Sequence, residues 1–151
     1  MITSFAKQTL IVLCFSVAVF GQMPEQLRGE WCTKRWLKTS NVEALSKNEA
    51  DAFIGRKLRF SPEMLESGDQ TAPAPKYSVK RLSESDLIDQ YMVTAKELGL
   101  TTKSVKEVDL EKNGRLLAVP GDTVFLKSGG KIIWYWKGVF FEAIRCSPAQ
   151  K

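Results

Sequence analysis

The chain has 151 residues, of which 44% are hydrophobic and 26% are charged, with 22 Lys plus Arg against 17 Asp plus Glu. This length suits one domain built around a single core. The sequence contains no histidine, which excludes Ser-His-Asp and Cys-His catalytic arrangements and nearly all zinc sites.

The N-terminal segment "MITSFAKQTLIVLCFSVAVFGQ" has the organisation of a secretory signal peptide. Lys7 precedes an apolar stretch that is too short to span a bilayer, and small Gly21 suits cleavage before Gln22. An uncleaved anchor is the alternative, and the residues around Cys14 disfavour a lipoprotein. We predict a signal peptide at 1–21, a single β-rich domain at 22–151, and a periplasmic or secreted product that does not span the membrane after cleavage.

Cleavage would leave Cys32 and Cys146 as the remaining cysteines, near the two ends of the mature chain. Two cysteines in an oxidising compartment usually pair, so we predict a disulfide that ties the first element to the last. Two free buried thiols are the alternative. Closing a loop of this length contributes about 4 to 5 kcal/mol in the chain-entropy model.

The first half of the mature chain mixes strands and helices. "RGEWCTKRW" predicts a strand, and "SKNEADAFIG" predicts a short helix with a capping box formed by Ser46 and Glu49 and a stop at Gly55. "RKLRFS" and "YSVKRL" predict strands, and the Gly- and Pro-containing stretch 66–76 predicts a long surface loop rather than a domain boundary. "SESDLIDQYMVTAKELGL" predicts one or two helical pieces.

Beyond residue 101 the pattern is β throughout: "KSVKEVDL", "RLLAV", "TVFL", "KIIWYW" and "VFFEAIRC". The last three strands are joined by turns too short for crossover helices, which predicts an antiparallel meander. Both faces of the final hairpin are mostly apolar, so it is central, covered by helical pieces, or exposes an aromatic patch. Its register stays open by one residue, because Lys137 suits a type I′ turn poorly and a bulge at Gly138 would serve as well.

The two ends of the mature chain are predicted to meet. If the first and last strands are antiparallel neighbours with Cys32 facing Cys146, then Trp31 and Arg145 share the opposite side of the sheet at a diagonal distance. A guanidinium stacked on an indole would seal that end of the core. We therefore assign structural roles to Gly29, Trp31 and Arg145.

The "GEW" stretch resembles the G-x-W motif of lipocalin and calycin barrels, with Arg145 in the position of the arginine that packs over that tryptophan. The segments "ADAFIGRKLRFSPE" and "GDTVFLKSGGKIIWYWKGVFFEAIR" are similar to a group of small exported bacterial proteins, lipocalin-like and largely without assigned function. The resemblance implies an α+β, mainly antiparallel fold: a small lipocalin-like barrel or a strongly curved sheet with two or three short helices. It brings no catalytic residue.

Two carboxylate pairs are the remaining candidates for catalysis. Glu107 and Asp109 share a face of a strand, and Asp86 and Asp89 share a face of a helix. We interpret both as solvated faces rather than as a glycosidase-like pair. No phosphate loop or calcium spacing is present. We therefore predict a protein that is not an enzyme and that has no metal site and no cofactor.

Basic residues narrow the class of partner only slightly. A scattered, solvated face is favoured over a positive patch on neighbouring strands, and nucleic acid is not an expected partner. The residues considered for such a patch are Arg56, Lys57, Arg59, Lys80 and Arg81.

Two functions fit these observations. The first is an exported binding protein that engages another protein, such as an inhibitor or an immunity-type protein. The second is a lipocalin-like carrier of a small apolar ligand, which inward-facing bulky side chains such as Trp31 and Trp134 disfavour because they leave little room. The candidate binding residues are Tyr77, Arg81, Tyr135, Trp136 and Lys137.

Overall fold

A computed structural model describes residues 21–101 and 104–148. A short 3-10 helix at Glu25–Leu27 precedes the first strand. Two α-helices follow, α1 (Lys47–Asp51) and α2 (Glu84–Tyr91). The strands are β1 (Gly29–Leu37), β2 (Lys57–Phe60), β3 (Met64–Ser67), β4 (Gln70–Pro73), β5 (Lys76–Leu82), β6 (Val105–Lys112), β7 (Arg115–Leu116), β8 (Thr123–Lys127), β9 (Lys131–Trp136) and β10 (Val139–Arg145).

The strands form one antiparallel sheet that curls strongly into a half-barrel. Its hydrogen-bonded order is β4-β3-β2-β1-β10-β9-β8-β6-β5, with β7 paired to β6 beside this path. The predicted meander of the last three strands is confirmed, and so is the pairing of the first strand with the last. Among the described residues, no helix is long and apolar enough to cross a membrane.

The junction between β1 and β10 joins the two ends of the described chain. Cys32 and Cys146 form the predicted disulfide, with their Cα atoms 5.0 Å apart. Arg145 stacks on Trp31, its guanidinium carbon 4.0 Å from the ring centroid, and the Trp31 indole N–H donates to the Leu27 carbonyl at 2.8 Å. One detail of the prediction was wrong, because Trp31 lies directly opposite Arg145 and the cysteines are the diagonal pair.

The disulfide also bears on location. Structural disulfides form and persist in oxidising environments, so this bond indicates a location outside the cytoplasm. The predicted signal peptide lies outside the described residues except for Gly21, and Cys14 lies outside them as well.

The final hairpin is central and buried on both sides. Its inner face joins a core cluster that includes Trp31, Trp134 and Phe141, while its outer face joins a second cluster that includes Phe125 and Phe140. The second cluster also contains residues of α2 and of the following turns. Of the three possibilities left open by the sequence, the hairpin is thus central, with its outer face covered by the helical segment.

The predicted capping box of α1 is present, and α2 begins with a second one. Ser46 and Glu49 cap α1 reciprocally, and Ser83 and Asp86 do the same for α2. The predicted second helical piece forms turns, in which the Thr94 side chain accepts a hydrogen bond from the Glu97 backbone N–H at 3.2 Å. The helical segment therefore consists of one α-helix followed by a capped turn.

The predicted long loop at 66–76 was wrong, because this stretch contains the β3–β4 hairpin. Ser67 pairs with Gln70, and Gly68, at φ +61°, begins the turn. Pro73 is tolerated because β4 is an edge strand, where a missing backbone N–H breaks no ladder hydrogen bond. The predicted strand "RLLAV" is shorter than expected, because only Arg115–Leu116 forms a strand.

Candidate functional site

An open groove of about 490 Å³ lies beside the turn between β9 and β10, and we call it the tip groove. Three of the predicted binding residues, Tyr135, Trp136 and Lys137, line it together. Its other walls are the end of α2 and the segment that runs from β7 to β8. They contribute Gln90, Tyr91, Leu116, Ala118, Asp122 and Thr123.

The turn at the groove is fixed by its backbone. Trp136 pairs with Val139, which leaves Lys137 and Gly138 as a two-residue turn with φ values of +47° and +83°. Positive φ at both positions defines a type I′ turn, so the open register is settled without a bulge. A Cβ atom at Gly138 would lie 2.6 Å from the Val42 carbonyl oxygen, which makes glycine necessary for the close approach as well.

The segment before α1 holds this turn in place. The Lys137 carbonyl accepts a hydrogen bond from the Ala44 N–H at 2.9 Å, and the Gly138 carbonyl accepts one from the Asn41 side chain at 2.7 Å. The Ser40 N–H in turn donates to Glu97 at 2.7 Å. Hydrogen bonds from Ser40 and Thr94 lower the pKa of Glu97 to about 2, so this tether stays ionised at ordinary pH.

Aromatic rings form one side of the groove. The Tyr91 ring meets Tyr135 edge to face at 5.1 Å between centroids, and it meets Phe125 in the same way at 5.3 Å. The Lys137 ammonium lies 5.7 Å from the Trp136 centroid. Tyr135 and Trp136 are half-buried and Lys137 is exposed, so each retains surface that a partner can contact.

Asp122 places a carboxylate at the base of the groove. It is 4% exposed, and its carboxylate accepts a hydrogen bond from the Ala118 N–H at 2.9 Å. Burial is the largest influence on it and raises the pKa of Asp122 to about 6. Its ionisation therefore changes in the range between pH 5 and 7.

Glu107 and Asp109 lie on β6, where Glu107 contacts the groove residue Tyr91. The prediction that they form a solvated face was wrong, because they are only 1% and 5% exposed. The Tyr91 hydroxyl donates to Glu107 at 2.5 Å, and the Lys80 ammonium bonds Asp109 at 2.5 Å and lies 3.7 Å from Glu107. Burial raises the pKa of Glu107, whereas the Asp109 contact raises the pKa of Lys80. These contacts join α2 and β5 to β6 from the outer side of the sheet.

The other pair, on α2, has no shared role. Asp86 belongs to the capping box, where hydrogen bonds from Ser83 lower its pKa, and Asp89 is exposed. Only this second pair retains any of the solvated character that the sequence indicated.

Two predicted binding residues lie away from the tip groove. Tyr77 is 2% exposed, donates its hydroxyl to the Ser61 carbonyl at 2.7 Å, and lines a separate pocket near Gly21. Burial raises the pKa of Tyr77, so its hydroxyl stays protonated. Arg81 is exposed at the other end of the sheet. The considered basic patch does not form on neighbouring strands, because β2 pairs with β1 and β3 while β5 is at the far edge.

Sequence reasoning missed all six of the other groove residues, among them Tyr91, Leu116 and Asp122. The signal for Asp122 was present in "PGD", where a carboxylate follows a turn and precedes an apolar strand. Tyr91 and Leu116 belong to elements whose positions relative to the hairpin are not encoded by local pattern. Within residues 21–101 and 104–148, no group of three or more His, Cys, Asp or Glu residues is placed to hold a metal ion.

No protein family, curated protein or solved structure shows a significant match to this chain. The function is therefore inferred from the geometry of the described residues.

Proposed function

We propose that this chain is an exported, non-enzymatic binding protein that acts on another protein, as an inhibitor or an immunity-type protein does, in the periplasm or outside the cell. The disulfide supports export. The similarity to small exported lipocalin-like proteins, noted in the sequence, remains part of this proposal.

The observation that carries the proposal is the tip groove, in which half-buried aromatic rings and exposed Leu116 lie beside a fixed turn. Leu116 in the tip groove is 48% exposed, Val42 beside Gly138 is 77% exposed, and Met92, next to Tyr91, is 57% exposed. Exposed apolar groups that surround half-buried aromatic rings are typical of protein-binding surfaces, where Trp and Tyr often contribute most of the affinity. Exposed Lys137 adds a cation that pairs best with an acidic residue of the partner.

The fixed backbone of the turn supports binding in a second way. A surface that already holds its bound conformation loses little conformational entropy on association. The hydrogen bonds from Asn41 and Ala44 to the turn, and the short type I′ geometry, provide that order before any partner arrives.

The carrier alternative gains no support from the interior of the curl. Trp134 and Phe141 stack there at 4.2 Å, and Phe53 packs on them at 5.7 and 5.3 Å between centroids. These rings occupy the space in which a lipocalin-like carrier would hold its ligand.

The test replaces an apolar contact in the groove and a matched one outside it. Leu116→Asp is compared with Ile54→Asp, because these residues are 48% and 46% exposed and only Leu116 lines the tip groove. A photo-reactive amino acid at position 90 reports proteins that contact the groove in the envelope fraction of the exporting cell.

We expect one dominant cross-linked protein, lost with Leu116→Asp and kept with Ile54→Asp, and that protein must bind the purified chain with a measurable affinity. Equal cross-linking by both variants, or a failure of the purified pair to associate, would contradict the proposal. Cross-linking to a small molecule instead would favour the carrier.

A further inference from the structure

At the end of the sheet opposite the tip groove, two cross-strand pairs each consist of two positive charges. Arg81 on β5 lies directly opposite Lys106 on β6, and Lys127 on β8 lies directly opposite Lys131 on β9. Like charges at directly opposed positions destabilise a sheet. Since β6 and β8 are hydrogen-bonded neighbours, the two unfavourable pairs lie in adjoining strand pairs.

Most other charged cross-strand pairs in this sheet join opposite charges. Arg59 lies opposite both Glu30 and Glu66, and Lys80 lies opposite Glu107. A third like-charged pair, Lys112 with Arg115, flanks the exposed turn between β6 and β7, where water screens the repulsion. The Arg81–Lys106 and Lys127–Lys131 pairs differ from this third pair because their residues line pockets.

Two adjoining pockets lie at that end. One, of about 450 Å³, is lined by Arg81, Lys106 and Lys127, and the other, of about 320 Å³, by Lys127, Lys131 and Arg145. Among the described residues, no Asp or Glu lines either pocket. We call these five cations the cationic end.

Two of the cations are held in position by the fold. The Arg145 guanidinium stacks on Trp31 and donates to the Gln26 carbonyl at 2.7 Å. The Lys127 ammonium bonds Glu142 at 2.9 Å, and its side chain is only 17% exposed. Glu142 is itself shared with Lys131 and with Arg35, so its one negative charge cannot balance the cations around it.

The approach to the pockets is open. Gly129 and Gly130 form the turn between Lys127 and Lys131, and a Cβ atom at either glycine would meet nothing within 4 Å. Ser128 lines both pockets, and its hydroxyl can donate a hydrogen bond to an anion. An anion therefore has room to reach fixed and flexible cations at once.

We propose that the cationic end binds a ligand that carries two or more phosphate or sulfate groups. Arginine forks and lysine ammonium groups are the side chains that bind such oxyanions, and two adjoining pockets that share Lys127 suit a ligand with more than one of them. Bound oxyanions would also relieve the repulsion within both cross-strand pairs. Binding is thus coupled to stability, and saturating ligand raises the melting temperature.

The experiment uses the oxidised chain in 150 mM NaCl with two probes. Tripolyphosphate, measured by titration calorimetry and by the shift in melting temperature, represents a soluble ligand. Vesicles of phosphatidylglycerol in phosphatidylcholine, measured by co-sedimentation against pure phosphatidylcholine, represent a lipid headgroup. Binding of either probe supports the site, and the probe that binds identifies the source of the oxyanions.

The variants assign the binding to these cations. Arg81→Gln with Lys106→Gln should weaken binding at least tenfold, whereas Lys112→Gln with Arg115→Gln, which also removes one like-charged cross-strand pair, should change it less than twofold. Without ligand, the first double variant should melt at the same temperature as the unchanged chain or higher, because it removes repulsion, so a loss of binding cannot be attributed to unfolding. Lys131→Gln should weaken binding independently.

The proposal is overturned if neither probe binds at this salt concentration, or if the two double variants weaken binding equally, which would indicate a general effect of net charge. Lys137→Asn, at the tip groove, should leave binding of both probes unchanged. The proposal that the cationic end binds oxyanions is therefore tested independently of the proposed protein-binding function.

Discussion

The inner face of the β9–β10 hairpin carries Trp134 and Phe141, which stack at 4.2 Å among apolar neighbours, whereas the outer face carries Phe140 beside buried Glu142. The outer side of β6 adds Glu107, bonded to the Tyr91 hydroxyl. The two faces are buried to a similar degree, but the inner face is apolar whereas the outer face also carries buried carboxylates. Among the described residues, the outer side carries the buried carboxylates Glu107 and Glu142, with Asp122 at its margin, and the protonation of these groups changes the stability of the fold.

Trp134→Ala should produce the largest effect, because it leaves a large cavity in the inner cluster and removes the indole N–H that donates to the Thr33 hydroxyl at 3.2 Å. We expect the free energy of unfolding to fall by about 3 to 5 kcal/mol, equally at pH 5 and pH 8. Urea denaturation at both pH values measures this. Ile54→Ala, at an exposed position, should change it by less than about 0.5 kcal/mol. A pH-dependent loss for Trp134→Ala would show that the inner face is coupled to the ionisable groups.

Asp122→Asn should stabilise the protein at high pH. Because burial raises the pKa of Asp122 from 3.8 to about 6, the folded state favours the protonated acid, and the stability this contributes is lost as pH rises from about 4 through 6. The amide has no charge to bury and keeps an oxygen for the Ala118 N–H. The variant should be more stable by roughly 3 kcal/mol at pH 8. The melting temperatures of the variant and the unchanged chain, measured from pH 3.5 to 8, should converge at the acid end. A constant difference over this range would contradict the assignment.

Glu142→Gln should have the opposite sign. Burial acts to raise the pKa of Glu142, but hydrogen bonds from Lys127 and Arg35 outweigh it and lower the pKa below 4.5. A carboxylate of this kind stabilises the fold above its unfolded pKa, and the contribution is lost as pH falls below that value. We expect a loss of about 1 to 3 kcal/mol at pH 7, which shrinks in acid. The same pH series measures it, and a stabilising effect at pH 7 would count against the ion-pair account.

Tyr91→Phe should give the smallest change. The ring contacts with Phe125 and Tyr135 remain, and only the hydroxyl that donates to Glu107 at 2.5 Å is lost. One such bond contributes about 1 kcal/mol. The loss should be greater at pH 8 than at pH 5, since the hydroxyl bonds best to ionised Glu107, and unfolding of the variant at the two pH values compares them. Equal losses would indicate that the hydroxyl contributes only packing.

Local pattern was sufficient where the physical cause is local. The capping boxes that begin at Ser46 and Ser83 place a hydroxyl three residues before a carboxylate, which is enough to start a helix. Period-two alternation was enough to separate the inner residue Trp134 from the outer residue Ile133. The disulfide followed from the number and placement of the cysteines.

Pattern failed where pairing partners are distant or where an edge changes the rules. Pro73 reads as a loop residue but lies in an edge strand, where its missing N–H breaks no ladder hydrogen bond. Glu107 and Asp109 read as a solvated face but are covered by Tyr91 from α2 and by Lys80 from β5. Neither outcome depends on residues next to the position concerned.

The sequence by itself therefore determined the order of most elements, the closure of the chain by Cys32 and Cys146, and the inward direction of Trp31 and Trp134, because caps, alternation and cysteine pairing act over short range or through covalent bonds. Only the tertiary structure decided which residues meet at the tip groove and at the cationic end. Those surfaces combine residues from elements that are distant in sequence, and the packing of the whole core brings these elements together.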